Sequence, residues 1–202
     1  MRNLQHKKFN TSRTEKFEWL LEVCVMKKVL LLTENGFEDR EQMYPYYRFQ
    51  EAGYQVVVVG PKAKETYNGE HGLSIKSDLA PEDINIDEYE AVIVPGGRAP
   101  DGMRLNKSLV QLVKDASRKR KVIAAICHGV QLLIEAGVVK GKRMTCYMSV
   151  ATDLKNAGGI YEDKSVVVDG NFVTSRFPAD LPDFCREILR VLEKKAVKKL
   201  SD

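Results

Sequence analysis

The chain has 202 residues, of which 44% are hydrophobic and 30% are charged, and its net charge is +4. This composition is that of an ordinary globular protein, and residues 29–189 sum to −3 because the basic residues are concentrated at the two ends of the chain. A nucleic-acid partner and a membrane are therefore not expected: no basic patch is indicated on the folded body, and no apolar run approaches the roughly 18 residues of a membrane span.

Residues 1–25 form a segment that we interpret separately. It begins with basic residues, as a signal peptide does, but its apolar part is short, contains Glu22 and lacks a small-residue cleavage site. Because charged polar termini usually remain untethered, we expect an N-terminal extension that is disordered or loosely helical. A single domain is expected over residues 26–196, followed by a basic tail over 197–202.

Short apolar runs alternate with amphipathic stretches from Met26 onward. The runs predict strands that are buried on both faces, over residues 27–32, 54–60, 91–97 and 122–127. Helical spacing predicts helices over 39–52, 106–119 and 128–137, and a last helix that ends near Lys195. Two further segments, 65–77 and 165–175, are typical of hairpins. This alternation indicates an α/β fold with a doubly wound, mostly parallel sheet and helices on both faces.

Three loops follow the carboxyl ends of predicted strands, which is where ligands bind in open α/β sheets. Parallel strands bring these loops to one edge of the sheet, so we expect a site there. The polar and glycine residues of the three loops are Glu38 and Asp39, then Gly96, Gly97, Arg98 and Asp101, and then Cys127 and His128.

Cys127 lies at the centre of the sequence Ala-Ile-Cys-His-Gly, with small residues two positions before and after it, as in a nucleophile elbow. A sharp strand-to-helix turn exposes the central side chain, and a helix N-terminus lowers the pKa of a thiol from about 8.5. We therefore interpret Cys127 as a thiolate nucleophile; the alternative is an inert core cysteine. The backbone N–H groups of His128 and Gly97 could form an oxyanion hole.

Glu38 is the candidate acid of the first loop. A carboxylate beside a thiolate repels it, so Glu38 would have to be protonated, with a raised pKa, and donate a hydrogen bond to the sulfur. The alternative is an acid that interacts with the N-terminus of the following helix.

The remaining histidines and cysteines are weaker candidates. We expect His71 at the surface, and Cys146 and Cys185 in the core. The four cysteines show no Cys-x-x-C spacing and no matching histidine pair, so neither a disulfide scaffold nor a zinc site is expected. A reducing cytoplasm is the simplest setting.

These motifs resemble the DJ-1/PfpI superfamily, and specifically its PfpI-type intracellular cysteine hydrolases. The resemblance runs from about Met26 to Lys195, and its most specific parts are AICHG, PGGRAP and VTSRFPADLP. It implies a flavodoxin-like, class I glutamine amidotransferase-like fold. Val130 and Met148 stand where the family usually has proline. We expect these two differences to affect the substrate preference more than the role of Cys127 as nucleophile.

The resemblance also implies roles for individual residues. Cys127 matches the family nucleophile, His128 its partner and Glu38 the acid that hydrogen-bonds the thiol. Gly97 matches an oxyanion-hole amide, and Tyr147 matches a tyrosine that lines the site. Asp101 occupies the position of an acid that, in family members, reaches the histidine of a neighbouring subunit.

The function implied by the resemblance is a cysteine-dependent hydrolase or lyase without a cofactor or metal. Its substrates would be peptides, or methylglyoxal and its adducts, and it would assemble as a homo-oligomer, from a dimer up to a hexamer. The alternative is a non-catalytic stress-response protein, either a redox sensor or a chaperone, that uses the same oxidisable cysteine. A nucleotide-binding domain is disfavoured because the first loop carries Glu34, Glu38 and Asp39 where a phosphate needs glycine and free N–H groups.

Overall fold

A six-stranded sheet forms the centre of the computed structural model, which describes residues 26–199. Its strands are β1 (Lys28–Leu32), β2 (Gln55–Val59), β5 (Tyr89–Val94), β6 (Val122–Ile126), β9 (Val166–Asp169) and β10 (Phe172–Ser175). They are ordered β2-β1-β5-β6-β10-β9, and all neighbours are parallel except β9, which is antiparallel to β10 at one edge.

Two small two-stranded sheets accompany the central one. They consist of β3 (Thr66–Asn68) with β4 (Ser74–Lys76), and of β7 (Arg143–Met144) with β8 (Ile160–Tyr161). The helices are α1 (Asp39–Glu51), α2 (Ala99–Met103), α3 (Lys107–Arg118), α4 (Val130–Glu135), α5 (Ala151–Asn156) and α6 (Leu181–Lys199). None of these helices is both long enough and apolar enough to cross a membrane.

Both faces of the central sheet are covered by helices, which explains why its strands are continuously apolar rather than alternating. In β1, Leu30 and Leu32 belong to one core cluster, to which α3, α4 and α5 contribute. Val29 and Leu31 belong to the opposite cluster, to which α1 and α6 contribute. The predicted doubly wound, mostly parallel α/β fold is therefore confirmed.

Several elements differ from the sequence predictions. The segment at 165–175 is a hairpin, as predicted, but it belongs to the central sheet, because β10 pairs with β6. The last helix continues to Lys199, beyond the predicted end near Lys195. The short elements α2, α5 and β8 have too few residues to give a periodic signal and were not predicted. The extension predicted over 1–25 lies outside the described residues.

Candidate active site

Cys127 lies at a sharp bend directly after β6. Its backbone φ is +60°, in the left-handed region that residues other than glycine rarely adopt. A 3-10 turn over Cys127–Gly129 leads into α4, which therefore begins two residues later than predicted. Gly129 permits this turn, since a Cβ at that position would lie 2.6 Å from the carbonyl oxygen of Val94. This strained strand-to-helix bend has the form of a nucleophile elbow.

The imidazole of His128 lies beside the sulfur of Cys127. Its Nδ1 is 3.3 Å from Cys127 Sγ, and its Nε2 is 3.2 Å from Ser149 Oγ. The ring stacks on that of Tyr147, with the two centroids 5.0 Å apart. Burial lowers the pKa of His128, so the ring is neutral at pH 7 and can accept a proton. The side chains of the two consecutive residues thus lie close enough for proton transfer between them.

The carboxyl group that lies against the sulfur belongs to Glu41. Its Oε2 accepts a hydrogen bond of 2.8 Å from the Gly96 N–H, and a Cβ at Gly96 would lie 2.6 Å from both Glu41 Oε2 and Cys127 Cβ. Burial of this fully buried side chain raises the pKa of Glu41 to about 8. At neutral pH the carboxyl group is therefore protonated and can donate a hydrogen bond to the sulfur.

Glu38 does not occupy the position against the thiol that was predicted for it. One carboxylate oxygen accepts a hydrogen bond of 2.9 Å from the Glu41 N–H and caps α1, while the other accepts one of 2.7 Å from Arg40 Nε. This corrects the prediction in favour of the alternative, an acid at the helix N-terminus. Glu41 lies three residues further on, on the buried face of α1 with Pro45 and Phe49. An acid on that apolar stripe was the signal in the sequence that could have identified it.

The ionisation of Cys127 also differs from the sequence prediction. Burial and the charge of Glu41, when ionised, raise the pKa of the Cys127 thiol. The backbone N–H groups of His128 and Gly97 interact with the sulfur and lower the pKa, but they do not outweigh burial. The thiol is therefore protonated before reaction, and it needs a neighbouring base, rather than the helix N-terminus alone, to become a thiolate.

Gly97 holds its amide in place through close backbone contacts. Its φ is +74°, and a Cβ there would lie 2.4 Å from Glu38 N and 2.5 Å from Gly36 O. The Glu38 N–H also donates to the Gly96 carbonyl oxygen at 3.2 Å. The first and second loops are therefore bound to each other at the edge of the sheet, beside Cys127.

These residues line an open pocket of about 440 Å³. The six residues to which the resemblance assigns roles all lie in it: Glu38, Gly97, Asp101, Cys127, His128 and Tyr147. Its other lining residues are Arg40, Glu41, Glu70, Arg98, Gln131, Phe177 and Pro178. The two arginines are paired with acids of the same pocket, since Arg40 bonds Glu38 and Arg98 Nε lies 3.0 Å from a Glu70 oxygen.

The remaining histidine and cysteine predictions concern residues outside this pocket. Cys146 and Cys185 are fully buried, which confirms that they pack in the core. The side chain of His71 is 63% exposed, as predicted for a surface residue. Within residues 26–199, no group of three or more histidine, cysteine or acidic residues is arranged to hold a metal ion.

Comparison with known proteins assigns this arrangement to a family. Residues 27–191 match the DJ-1/PfpI family. Deglycase PfpI of Pyrococcus furiosus is 44% identical over 166 residues, which cover 82% of this chain and 99% of the relative. Protein/nucleic acid deglycase 2 of Escherichia coli is 39% identical over 168 residues, covering 82% of this chain and 98% of the relative.

A crystal structure from Anabaena variabilis, of a two-domain protein with DJ-1/ThiJ/PfpI-like and ferritin-like domains, superposes with a TM-score of 0.81 at 42% identity. The match covers 83% of this chain and 48% of that one. The similarity therefore extends over nearly all of the residues that form the sheet and the pocket.

Proposed function

Because this chain belongs to the DJ-1/PfpI family, we propose that it is a cofactor-independent cysteine hydrolase of the PfpI type with Cys127 as its nucleophile. The observation that carries this proposal is the distance of 3.3 Å between Cys127 Sγ and His128 Nδ1, at a strained bend that opens into a pocket. The two curated relatives described above are both named deglycases, which favours small carbonyl compounds and glycated groups as substrates.

The reaction begins with transfer of the thiol proton from Cys127 Sγ to His128 Nδ1. The thiolate attacks the aldehyde carbon of methylglyoxal, and the carbonyl oxygen becomes an oxyanion that the N–H groups of Gly97 and His128 stabilise. Protonation of that oxygen by the imidazolium completes a hemithioacetal. The neutral Glu41 bears no charge that would repel the thiolate, and its O–H stabilises the sulfur by a hydrogen bond.

The hemithioacetal then becomes a thioester of lactate by proton transfers alone. His128 removes the hydrogen from the carbon bound to sulfur while the adjacent carbonyl oxygen takes up a proton, which gives an enediol. His128 then returns its proton to the former carbonyl carbon, and the hydroxyl on the carbon bound to sulfur loses its proton and becomes the thioester carbonyl. Water attacks this thioester, the bond between carbon and sulfur breaks, and lactate and the free thiol are released. The balance is methylglyoxal plus water to lactate, so no oxidant or reductant is needed. On a glycated amine or thiol, the Cys127 thiolate instead displaces the amine or thiol from the carbon that bears the hydroxyl group. The bond from that carbon to nitrogen or sulfur breaks, the leaving group takes the proton from the imidazolium of His128, and the hemithioacetal on Cys127 follows the steps above.

Peptides are a second substrate class for the same nucleophile. The exposed side chains of Arg40 and Arg98 flank an open pocket, which favours access by a chain longer than methylglyoxal. In that reaction the thiolate attacks the peptide carbonyl, and His128 returns the proton to the leaving amine.

Assembly into a homo-oligomer is part of the proposal. A groove of about 730 Å³ lies next to the pocket, and the exposed apolar side chains Tyr44, Tyr47 and Leu73 line it. A second copy packed on this surface would remove these side chains from water. Asp101 is exposed and lines the pocket. We propose that its carboxylate contacts His128 of the neighbouring copy.

The cytoplasm is the location that we propose for this enzyme. Cys127, Cys146 and Cys185 are all free thiols, which suits a reducing compartment.

Conversion of methylglyoxal to lactate by the wild type and by Cys127→Ala tests the enzymatic proposal. We expect the variant to lose at least about 1,000-fold in kcat/KM, since removal of a nucleophile abolishes covalent catalysis. Cys146→Ala is the matched control, because it removes a buried thiol outside the pocket and should retain activity. Equal rates for the wild type and Cys127→Ala would overturn the proposal and favour a non-catalytic stress-response protein.

A further inference from the structure

Ser149 contacts the ring nitrogen of His128 that faces away from the sulfur. His128 Nε2 lies 3.2 Å from Ser149 Oγ, while Nδ1 lies 3.3 Å from Cys127 Sγ. Each ring nitrogen of His128 therefore has a polar neighbour within the same chain. Ser149 belongs to a 3-10 turn over Met148–Val150, directly after Tyr147, and no role was predicted for it from the sequence.

The segment that carries Ser149 is attached to the nucleophile elbow. The Tyr147 N–H donates to the Cys127 carbonyl oxygen at 3.2 Å, and the Val150 N–H donates to the Tyr147 carbonyl oxygen at 2.9 Å. Val150 is buried, and the Tyr147 ring stacks on His128. The backbone on both sides of Ser149 is thus held beside the elbow, which places this exposed side chain within hydrogen-bond distance of His128.

The two contacts of His128 have a consequence for the proton on its ring. To accept the thiol proton, Nδ1 must present a lone pair, so in the neutral ring the hydrogen must be on Nε2. That N–H needs an acceptor, and the oxygen of Ser149 lies at hydrogen-bond distance. After proton transfer the imidazolium still donates from Nε2 to the same oxygen. A single acceptor at this position therefore stabilises both the reactive tautomer and the charged ring.

We propose that Ser149 is a positioning residue that holds His128 in the Nε2–H tautomer, with Nδ1 free to accept the proton of Cys127. This inference deepens the proposed function, since it assumes that Cys127 and His128 react as a pair. It means that one chain orients its own histidine, and that the orientation does not depend on an acid from a second copy. The hydroxyl hydrogen of Ser149 remains available to donate to such an acid.

The tautomer of His128 can be measured directly by NMR on protein labelled with ¹⁵N-histidine. The chain has three histidines, so His6→Gln and His71→Gln assign the third set of signals to His128. We expect neutral His128 to be almost entirely the Nε2–H tautomer in the wild type and in Ser149→Thr, with a larger fraction of the Nδ1–H tautomer in Ser149→Ala. A proton on Nδ1 in the wild type, or equal tautomer populations in Ser149→Ala and the wild type, would overturn the inference.

The rate of alkylation of Cys127 by iodoacetamide gives a second readout that needs no substrate. Loss of the acceptor destabilises the imidazolium, so Ser149→Ala should move the alkylation profile of Cys127 to higher pH. At pH 7.5 we expect a rate about fivefold lower, the loss typical of one hydrogen bond. Ser149→Thr, which keeps the hydroxyl, should restore the rate, and Ser149→Val, which has the same shape without it, should not.

Met148→Ala is the matched control, because Met148 is the exposed neighbour in the same turn and should leave the alkylation profile unchanged. Equal profiles for Ser149→Val and Ser149→Thr would contradict the positioning role. Failure of the wild type to convert methylglyoxal, with the Nε2–H tautomer still present, would instead reject the proposed substrate and leave this inference intact.

Discussion

Glu41 is the side chain whose chemistry depends most on its surroundings. It is buried, its Oε2 accepts a hydrogen bond from Gly96, and it lies against Cys127, so its pKa is raised from 4.5 to about 8. In the unfolded chain the same carboxyl group ionises near its ordinary pKa. Between these two values the folded protein binds one more proton than the unfolded one, so the free energy of unfolding falls as the pH rises.

Replacement of Glu41 by Gln should remove this pH dependence. The amide keeps an oxygen for Gly96 and has an N–H group for the sulfur, but it does not ionise. From pH 5 to pH 8 we expect the wild type to lose on the order of 3 to 5 kcal/mol more stability than Glu41→Gln. Urea unfolding of both proteins at the two pH values measures this difference. Parallel pH dependences would show that Glu41 titrates normally.

Among the individual residues of the site, the sequence identified Cys127 and His128 but not the acid, Glu41. Cys127 and His128 are recognisable because small residues flank them at an elbow. Glu38 and Glu41 both lie near the start of α1. In the structure Glu38 caps the helix and pairs with the exposed Arg40, whereas Glu41 lies against the sulfur. The motif alone does not distinguish the two acids; the position of Glu41 on the apolar stripe with Pro45 and Phe49 does.

The bend at Cys127 stores conformational strain, because a side chain is held at a positive φ. Cys127→Gly and Cys127→Ala both remove the thiol, but only glycine adopts this φ without a steric penalty. We expect Cys127→Gly to be more stable than Cys127→Ala by about 1 kcal/mol in chemical unfolding. A more stable alanine variant would mean that the bend is relaxed.

The loop at Gly97 combines a positive φ with close backbone contacts. Gly97→Ala should therefore displace the loop, lower activity at least about tenfold and destabilise the protein by more than 2 kcal/mol. Gly170→Ala is the matched control, since Gly170 has a φ of +61° but no atom within 4 Å of a Cβ. Enzyme kinetics and thermal unfolding of both variants distinguish the two effects, because the Gly170 variant has only the strain of a positive φ, whereas the Gly97 variant also has steric clashes. Equal losses in the two variants would contradict a special role for the Gly97 contacts.

The strands could be predicted because each is a short continuous apolar run, and the longer helices because their apolar residues recur at helical spacing. Residues 29–32 and 122–127 are buried, and α3 keeps its apolar positions on one side. The bounds of α4 could not be predicted, because its first turn is taken over by the 3-10 geometry of the elbow. The pairing of β10 with β6 is a long-range contact that no local pattern contains.

On the scale of the whole molecule, the strand order determines where the chemistry occurs. β1, β5 and β6 are adjacent and parallel, so the loops that follow them meet at one edge. The prediction of a site at that edge needed only this topology. The groove beside it could not be predicted, because it forms between α1 and the segment around Pro178, which are far apart in sequence.

Tyr47 tests whether this groove is the surface on which copies assemble. Its side chain is largely exposed in a single chain, so Tyr47→Asp should fold normally but place a charge in the apolar contact. We expect its sedimentation coefficient to fall to that of a single chain. Leu105→Asp, at an exposed site outside the groove, should sediment like the wild type. Unchanged assembly of Tyr47→Asp would place the interface elsewhere.

We expect the fold to make Cys127 a reactive thiol, because the base His128 lies beside it. Brief exposure to limiting iodoacetamide at pH 7.5, followed by peptide mapping, measures this most directly. We predict that Cys127 is labelled at least about tenfold faster than Cys146 and Cys185, because it opens into the pocket and has His128 at 3.3 Å. Labelling of Cys127 no faster than that of these two core cysteines would contradict the account.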